Sequence, residues 1–331
     1  MRFEFRTKIR ITLIVLCLQI GLVRTQFAQE PAPAAKRGGF MQIPLDPRVQ
    51  MRSYLFKDGD ISQNLEYAVF ISSKVSKDKK NPLIVTLHGL GAGPAIMFGR
   101  KALELAEDGG YILVGPMGFN VRGWYGISMK EFRSAKPKPA NSSDAAQPSA
   151  NAAPKENPPV LSSADQPGAN PASKPKPSMS SMFNNANDPP NLNELSEKDV
   201  MNVLDMVRKE FNVDERRIYL MGHSMGGAGT LYLGVKHPSI WAALAPIAPA
   251  AFSLNPDSVK AIPSMPIIFV HGGADEVVPV TLSRQWVDKL KELNMTYEYN
   301  EMPGLSHGPI IEGGLPSVYA FFAKHSKPAV H

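Results

Sequence analysis

The chain has 331 residues, of which 43% are hydrophobic and 20% charged, with a formal net charge of +6 at pH 7. A chain of this length can bury one large core, and a single catalytic domain is the expectation. Arg2, Arg6, Lys8, Arg10 and Arg24 against Glu4 place four of the six charges in the first 28 residues, so the rest carries about two and a nucleic-acid partner is not expected.

Residues 1–28 combine a basic start, an apolar run over 11–23 and a short polar end, the pattern of a signal peptide. The apolar run is too short for a transmembrane helix, so a secreted or periplasmic protein is expected, with no stable membrane anchor once the leader is removed. The single cysteine, Cys17, lies inside that leader, which leaves a mature chain without disulfides, a cysteine nucleophile or a thiolate metal site.

Residues 29–49 are rich in Pro, Ala and Gln and read as a flexible lead-in, and the catalytic domain is expected over 50–326. Runs at 51–56 and 65–72 predict two strands joined by Lys57, Asp58, Gly59 and Asp60, an antiparallel start to the sheet. The run 83–87 is apolar enough to be buried on both faces and ends at His88, Gly89, Leu90 and Gly91. A helix over about 95–107 and a fourth strand over 111–114 follow. Trp124 and Tyr125 then stand in a loop at a strand's carboxyl end, where they either line a substrate pocket or pack against neighbouring loops. From about 134 to 191 the composition turns to Pro, Ala, Ser, Asn and Lys with few large apolar groups, and predicts a disordered insertion within one domain.

Order resumes with a helix carrying Val200, Val203, Leu204, Val207 and Phe211 at helical spacing, with Ser196 as its cap. A β-prone run from Ile218 ends in Gly222-His223-Ser224-Met225-Gly226, followed by small and apolar residues. Strand, sharp turn and helix are the setting that a G-x-S-x-G nucleophile requires. Strands over 241–248, 266–270 and 296–301 alternate with helices, the last over about 315–323. This alternation predicts an α/β fold with a mostly parallel, doubly wound sheet and helices on both faces.

A serine hydroxyl at neutral pH needs a base, and the base needs a partner that fixes its tautomer. Among the histidines, His223 adjoins the serine and is expected to face away from it; only His307 lies in a glycine-flanked loop after the final strand. Asp275 directly follows a buried strand, where ligand chemistry collects in open α/β sheets. Glu276 is its neighbour and the alternative acid.

Ile218 to Gly227, His88-Gly89-Leu90-Gly91, His271-Gly272-Gly273-Ala274-Asp275 and Ser306-His307-Gly308 together resemble the α/β-hydrolase superfamily. More narrowly they resemble secreted esterases related to polyhydroxybutyrate depolymerases, feruloyl esterases and prolyl oligopeptidase catalytic domains. The resemblance implies an α/β-hydrolase fold and cleavage of a small-molecule or polymeric carboxylic ester through Ser224, His307 and Asp275, with an acyl-enzyme. It also implies an oxyanion hole from the backbone N–H groups of Met225 and Leu90, with no metal or organic cofactor. Trp124, Tyr125 and His223 are the candidate substrate contacts. A secreted serine peptidase of the prolyl oligopeptidase type, or a non-catalytic binding protein of the same fold, is the alternative.

Overall fold

The computed structural model describes residues 45–128 and 185–329. The expected leader, most of the lead-in and most of the 134–191 segment lie outside the described residues. Strands β1 (Gln50–Asp58) and β2 (Ile61–Ile71) pair antiparallel, with Asp58 opposite Ile61 across a tight turn at Gly59, which takes the left-handed φ of +54°. β3 (Asn81–Leu87) is buried at every residue, as its apolar sequence requires. Gly99 then begins α1 (Arg100–Gly109), later than its sequence suggests because 91–97 are spent in turns. β4 (Ile112–Pro116) follows.

Beyond the undescribed segment come α2 (Leu192–Glu210), β5 (Val213–His223), α3 (Met225–Lys236), β6 (Ala243–Ile247) and a short 3-10 turn at Pro256–Ala261. β7 (Ile267–Gly272), α4 (Val280–Glu292), β8 (Tyr297–Met302) and α5 (Ile310–Lys324) complete the described chain. The eight strands lie in the order β1-β2-β4-β3-β5-β6-β7-β8, antiparallel in the pairs β1–β2 and β2–β4 and parallel elsewhere. Alternation along the central strands sorts side chains to two cores. Leu83, Val85, Leu87, Ile218, Leu220 and Phe269 meet α2, α3 and α4, while Ile84, Tyr219, Met221, Ile268 and Val270 meet α1 and α5. Each fully buried aliphatic side chain contributes about 1.5–3 kcal/mol. Among the described residues no helix is long and apolar enough to cross a membrane.

One face of α2 fixes the loop after β4. Ser196, expected as a cap, lies inside α2 instead, because the helix begins earlier with Asn191 at its N-cap; its buried hydroxyl accepts the Tyr125 N–H. Asn193 accepts the Trp124 N–H and donates to Ile127 O at 2.7 Å. Arg122 makes a two-pronged pair with Asp188, which also accepts from Asn120. Asp188 belongs to the stretch expected to be unstructured, and this pairing gives it a fixed place. The buried carboxylate of Asp199 accepts from Tyr54 Oη at 2.5 Å and from the N–H groups of Gly118 and Phe119 at 2.7 and 3.2 Å. These bonds hold Phe119 and Tyr125 at left-handed φ values of 65° and 51°, which cost a non-glycine residue on the order of 1–3 kcal/mol.

Two outcomes follow from this clamp. Burial raises the Asp199 pKa from 3.8 to about 6, against the hydrogen bonds that lower it. The folded state therefore holds this proton more tightly than the unfolded chain, and stability present below pH 4 is lost as pH rises to 6. Asp199→Asn should lose less stability than the wild type over that window, by about 2–3 kcal/mol at the usual 1.36 kcal/mol per pKa unit, as read by urea unfolding at each pH. Secondly, the bonds from Asn193 to Trp124 and Ile127 bring together the two ends of the segment between them. Replacing 136–184 with a short Gly/Ser linker should then shift Tm by only a few degrees, since each doubling of loop length changes closure by about 0.6 kcal/mol; a collapse of the cooperative transition would count against it.

Candidate active site

β5 and α3 meet at Ser224 with no side chain between them and β3. A Cβ on Gly226 would stand 2.1 Å from Leu87 O, and one on Gly222 would stand 2.3 Å from Gly226 O. Both positions require glycine. Ser224 takes φ 58° and ψ −117°, the strained backbone of a nucleophile elbow, and its side chain caps no helix N–H. Its own N–H donates to Ile247 O, and its carbonyl accepts from Ala228 and Ala250, so the strained residue is held from three directions. Met225 opens α3, and a first-turn N–H has no acceptor within its helix.

The loop after β3 passes beside the elbow: a Cβ on Gly89 would lie 3.4 Å from Ser224 Cβ. Leu90 is the half-buried residue that follows. His88 is buried, with Nε2 2.6 Å from Met117 O and Nδ1 2.8 Å from Gly89 O, of which a neutral ring donates to one. Burial holds its pKa below the usual histidine value.

The loops that carry Asp275 and His307 are stitched together at the carboxyl ends of β7 and β8. Gly273 N donates to Met302 O at 2.9 Å and Ala274 N to Leu305 O at 3.1 Å, and a Cβ on Gly272 would meet Leu305 O at 2.2 Å. That contact sets Asp275 against His307, whose Nδ1–H donates to Asp275 Oδ2 at 2.7 Å. Oδ1 accepts the N–H groups of Val277 and Val278, each at 2.8 Å. The Asp275 side chain is shielded from solvent, and this burial raises its pKa; the bonds from Val278, His307 and Val277 outweigh it and hold the carboxyl below the usual value. Glu276 is exposed, and no bond joins it to His307.

His223 connects the elbow to the base loop. Its ring lies 4.4 Å from that of His307 between centroids, and its Nε2–H donates to His307 O at 2.7 Å. Burial above all lowers its pKa to about 4, so it is neutral at pH 7. With only 8% of its surface exposed, it braces the base more than it faces a ligand. Tyr125 is fully buried, its hydroxyl donating to His88 O at 3.0 Å and its ring against Gly229, and Trp124 is 5% exposed within the same core. The aromatic pair therefore packs under the site, since the left-handed turn at Tyr125 points its ring inward. His271, which the sequence reading set aside, is buried 3.3 Å from Asp275 Oδ2; its position four residues before Asp275 was the available signal. Among the described residues no group of three or more His, Cys, Asp or Glu is arranged to hold a metal ion.

Comparison with known proteins adds to this geometry. The family model described as Phospholipase/Carboxylesterase matches residues 178–326, a stretch containing Ser224, Asp275 and His307. Over 96 residues the chain is 33% identical to Cutinase 2 of Thermobifida cellulosilytica, a match covering 29% of this chain and 34% of that protein. Over 80 residues it is 38% identical to a bifunctional acetylxylan esterase/xylanase of Neocallimastix patriciarum, covering 24% of this chain and 11% of that one. The chain thus spans about a third or less of the length of these curated relatives. Among solved structures, a thermostable esterase superposes with a TM-score of 0.53 at 22% identity, over 84% of this chain and 63% of its own. A ferulic acid esterase of Anaeromyces mucronatus gives 0.52 at 16% identity, over 88% and 93%. With its strand order, its helices on both faces and a glycine-flanked serine between β5 and α3, the chain has the α/β-hydrolase fold.

Proposed function

We propose that the protein is a secreted serine hydrolase that cleaves carboxylic esters. The observation that carries this reading is the Asp275–His307 hydrogen bond, delivered to the elbow through His223, the residue next to Ser224. Ser224 Oγ attacks the ester carbonyl while His307 Nε2 takes its proton; the same proton then goes to the leaving alcohol, which leaves an acyl-enzyme. Water, deprotonated by His307, releases the acid and restores Ser224. Asp275 keeps the proton on Nδ1, so that Nε2 is free to act as base, and stabilises the imidazolium. The N–H groups of Met225 and Leu90 hold the oxyanion, each donor contributing about 10²–10³ in rate.

Exposed apolar side chains follow three strands at this end of the sheet: Ile96 after β3, Phe252 after β6 and Val277 after β7. They favour an ester with an apolar acyl or alcohol part, small or polymeric, in keeping with the cutinase named above. The expected leader at 1–28 supports an extracytoplasmic location.

Ser224→Ala should fold normally and lose both ester hydrolysis and labelling by a fluorophosphonate. Retention of more than about a tenth of the rate would remove Ser224 as nucleophile, given that losing a triad member costs far more. Asp275→Asn should lower kcat by roughly 10⁴ through the wrong tautomer of His307, while Glu276→Gln should change little. A panel of p-nitrophenyl esters, feruloyl and acetyl-sugar esters and a proline-containing peptide reads both results; turnover of the peptide alone would replace the esterase reading with a peptidase.

A further inference from the structure

A second histidine stands beside the same carboxylate oxygen that meets His307. His271, the fifth residue of β7, is wholly buried. Its Nε2 lies 2.9 Å from Val278 O and 3.3 Å from Asp275 Oδ2, and its Nδ1 lies 2.7 Å from Ser283 Oγ on α4. A carbonyl and a carboxylate only accept, so the ring proton is on Nε2; Nδ1 must then accept, and the Ser283 hydroxyl donates to it. Burial lowers the His271 pKa and agrees with this neutral, single-proton form.

The bond to Val278 O closes the turn whose N–H groups, from Val277 and Val278, hold Asp275 Oδ1. The ring is therefore a strut between α4 and the acid turn. Nε2 also stands 3.3 Å from Oδ2, beside the three hydrogen bonds that Val277, Val278 and His307 donate to Asp275. A histidine serving only to fill the core would not need its Nε2–H on the carbonyl that closes the acid's turn. The titratable groups around it are Asp275, His307, His223 and Glu301.

We propose that His271 is a positioning residue for the triad: its Nε2–H fixes the 275–278 turn so that Asp275 Oδ2 meets His307 Nδ1, and Ser283 fixes the tautomer this requires. The kinetic part of the claim rests on the ester hydrolase reading; the geometric part does not.

The test compares His271→Gln, which keeps an N–H near the Nε2 position, with His271→Asn, which withdraws it, on p-nitrophenyl acetate with fluorophosphonate titration of active sites. His271→Asn should lower kcat by about 10²-fold, the usual cost of misplacing a catalytic group by about 1 Å. KM should stay within about twofold, since the lost interaction matters in the transition state. The acid limb of its kcat/KM profile should move to lower pH, because an imidazolium less well held by Asp275 gives up its proton more readily. His271→Gln should restore most of the rate and return the limb.

In ¹H NMR the downfield Nδ1 proton of His307, assigned by its loss in Asp275→Asn, should weaken or move in His271→Asn and return in His271→Gln. A folded His271→Asn with wild-type kcat and an unchanged resonance overturns the proposal, as does an equal loss in the Gln variant. If His271→Asn does not fold, Ser283→Ala carries the test: a smaller loss with the same changes in limb and resonance supports the proposal, and no change in any of them overturns it. Should the wild type hydrolyse no ester, the esterase reading fails by itself, while the resonance still decides whether His271 holds the acid.

Discussion

The absence of a side chain at Gly226 permits the approach on which the site depends. Carbonyl oxygens of Leu87 and His88 occupy the space that a Cβ would need, so the elbow and the loop after β3 press together backbone to backbone. Side chains alternate along a strand, and no rotamer could relieve such a clash, since the nearest atoms belong to main chain. The strained φ of Ser224 is stable only because its N–H and carbonyl are tied to Ile247, Ala228 and Ala250. The same approach sets Gly89 beside Ser224 Cβ, so a loop 135 residues away in sequence comes within contact of the serine.

Electrostatically the site is one anion surrounded by donors. Asp275 is shielded from water, yet Val277, Val278 and His307 all donate to it, with His271 Nε2 3.3 Å away, so burial does not neutralise it. The two bracing histidines are held neutral by their own burial, which keeps extra positive charge away from His307. A proton arriving on His307 would then form one cation beside one anion, a pair the surroundings already favour.

Much of this was legible in the residues. Runs such as Leu83 to Leu87 are too apolar for an edge, and the two glycines around Ser224 announce a backbone contact before any contact is seen. The choice of Asp275 over Glu276 followed from strand-end position, and the structure places the Asp275 carboxylate on His307. Tyr125 was not legible: its inward turn depends on an N–H caught by Ser196, a residue 71 positions away. Ser196 in turn looked like a cap because α2 starts four residues ahead of it, at Leu192, without a side-chain cap at Asn191 to mark the place. The bracing positions of His223 and His271 were missed for a related reason. Each acts through a carbonyl brought close only by tertiary folding, and the one local signal was the place of His271 four residues before Asp275.

The strand order has a consequence for how the chain is made. Leu83 of β3 pairs with Ile218 of β5, a separation of 135 residues, whereas Leu220 of β5 pairs with Leu244 of β6 only 24 residues on. At translation speeds of about 5–20 residues per second, β3 leaves the ribosome roughly 7–27 s before its inner neighbour exists. During that interval β4 can shield one of its edges, while the other edge of a strand destined for full burial waits. The seam that waits longest is the one on which Ser224 stands, and the strands that carry Asp275 and His307 follow later still, so these three residues come together only after β8 has been made.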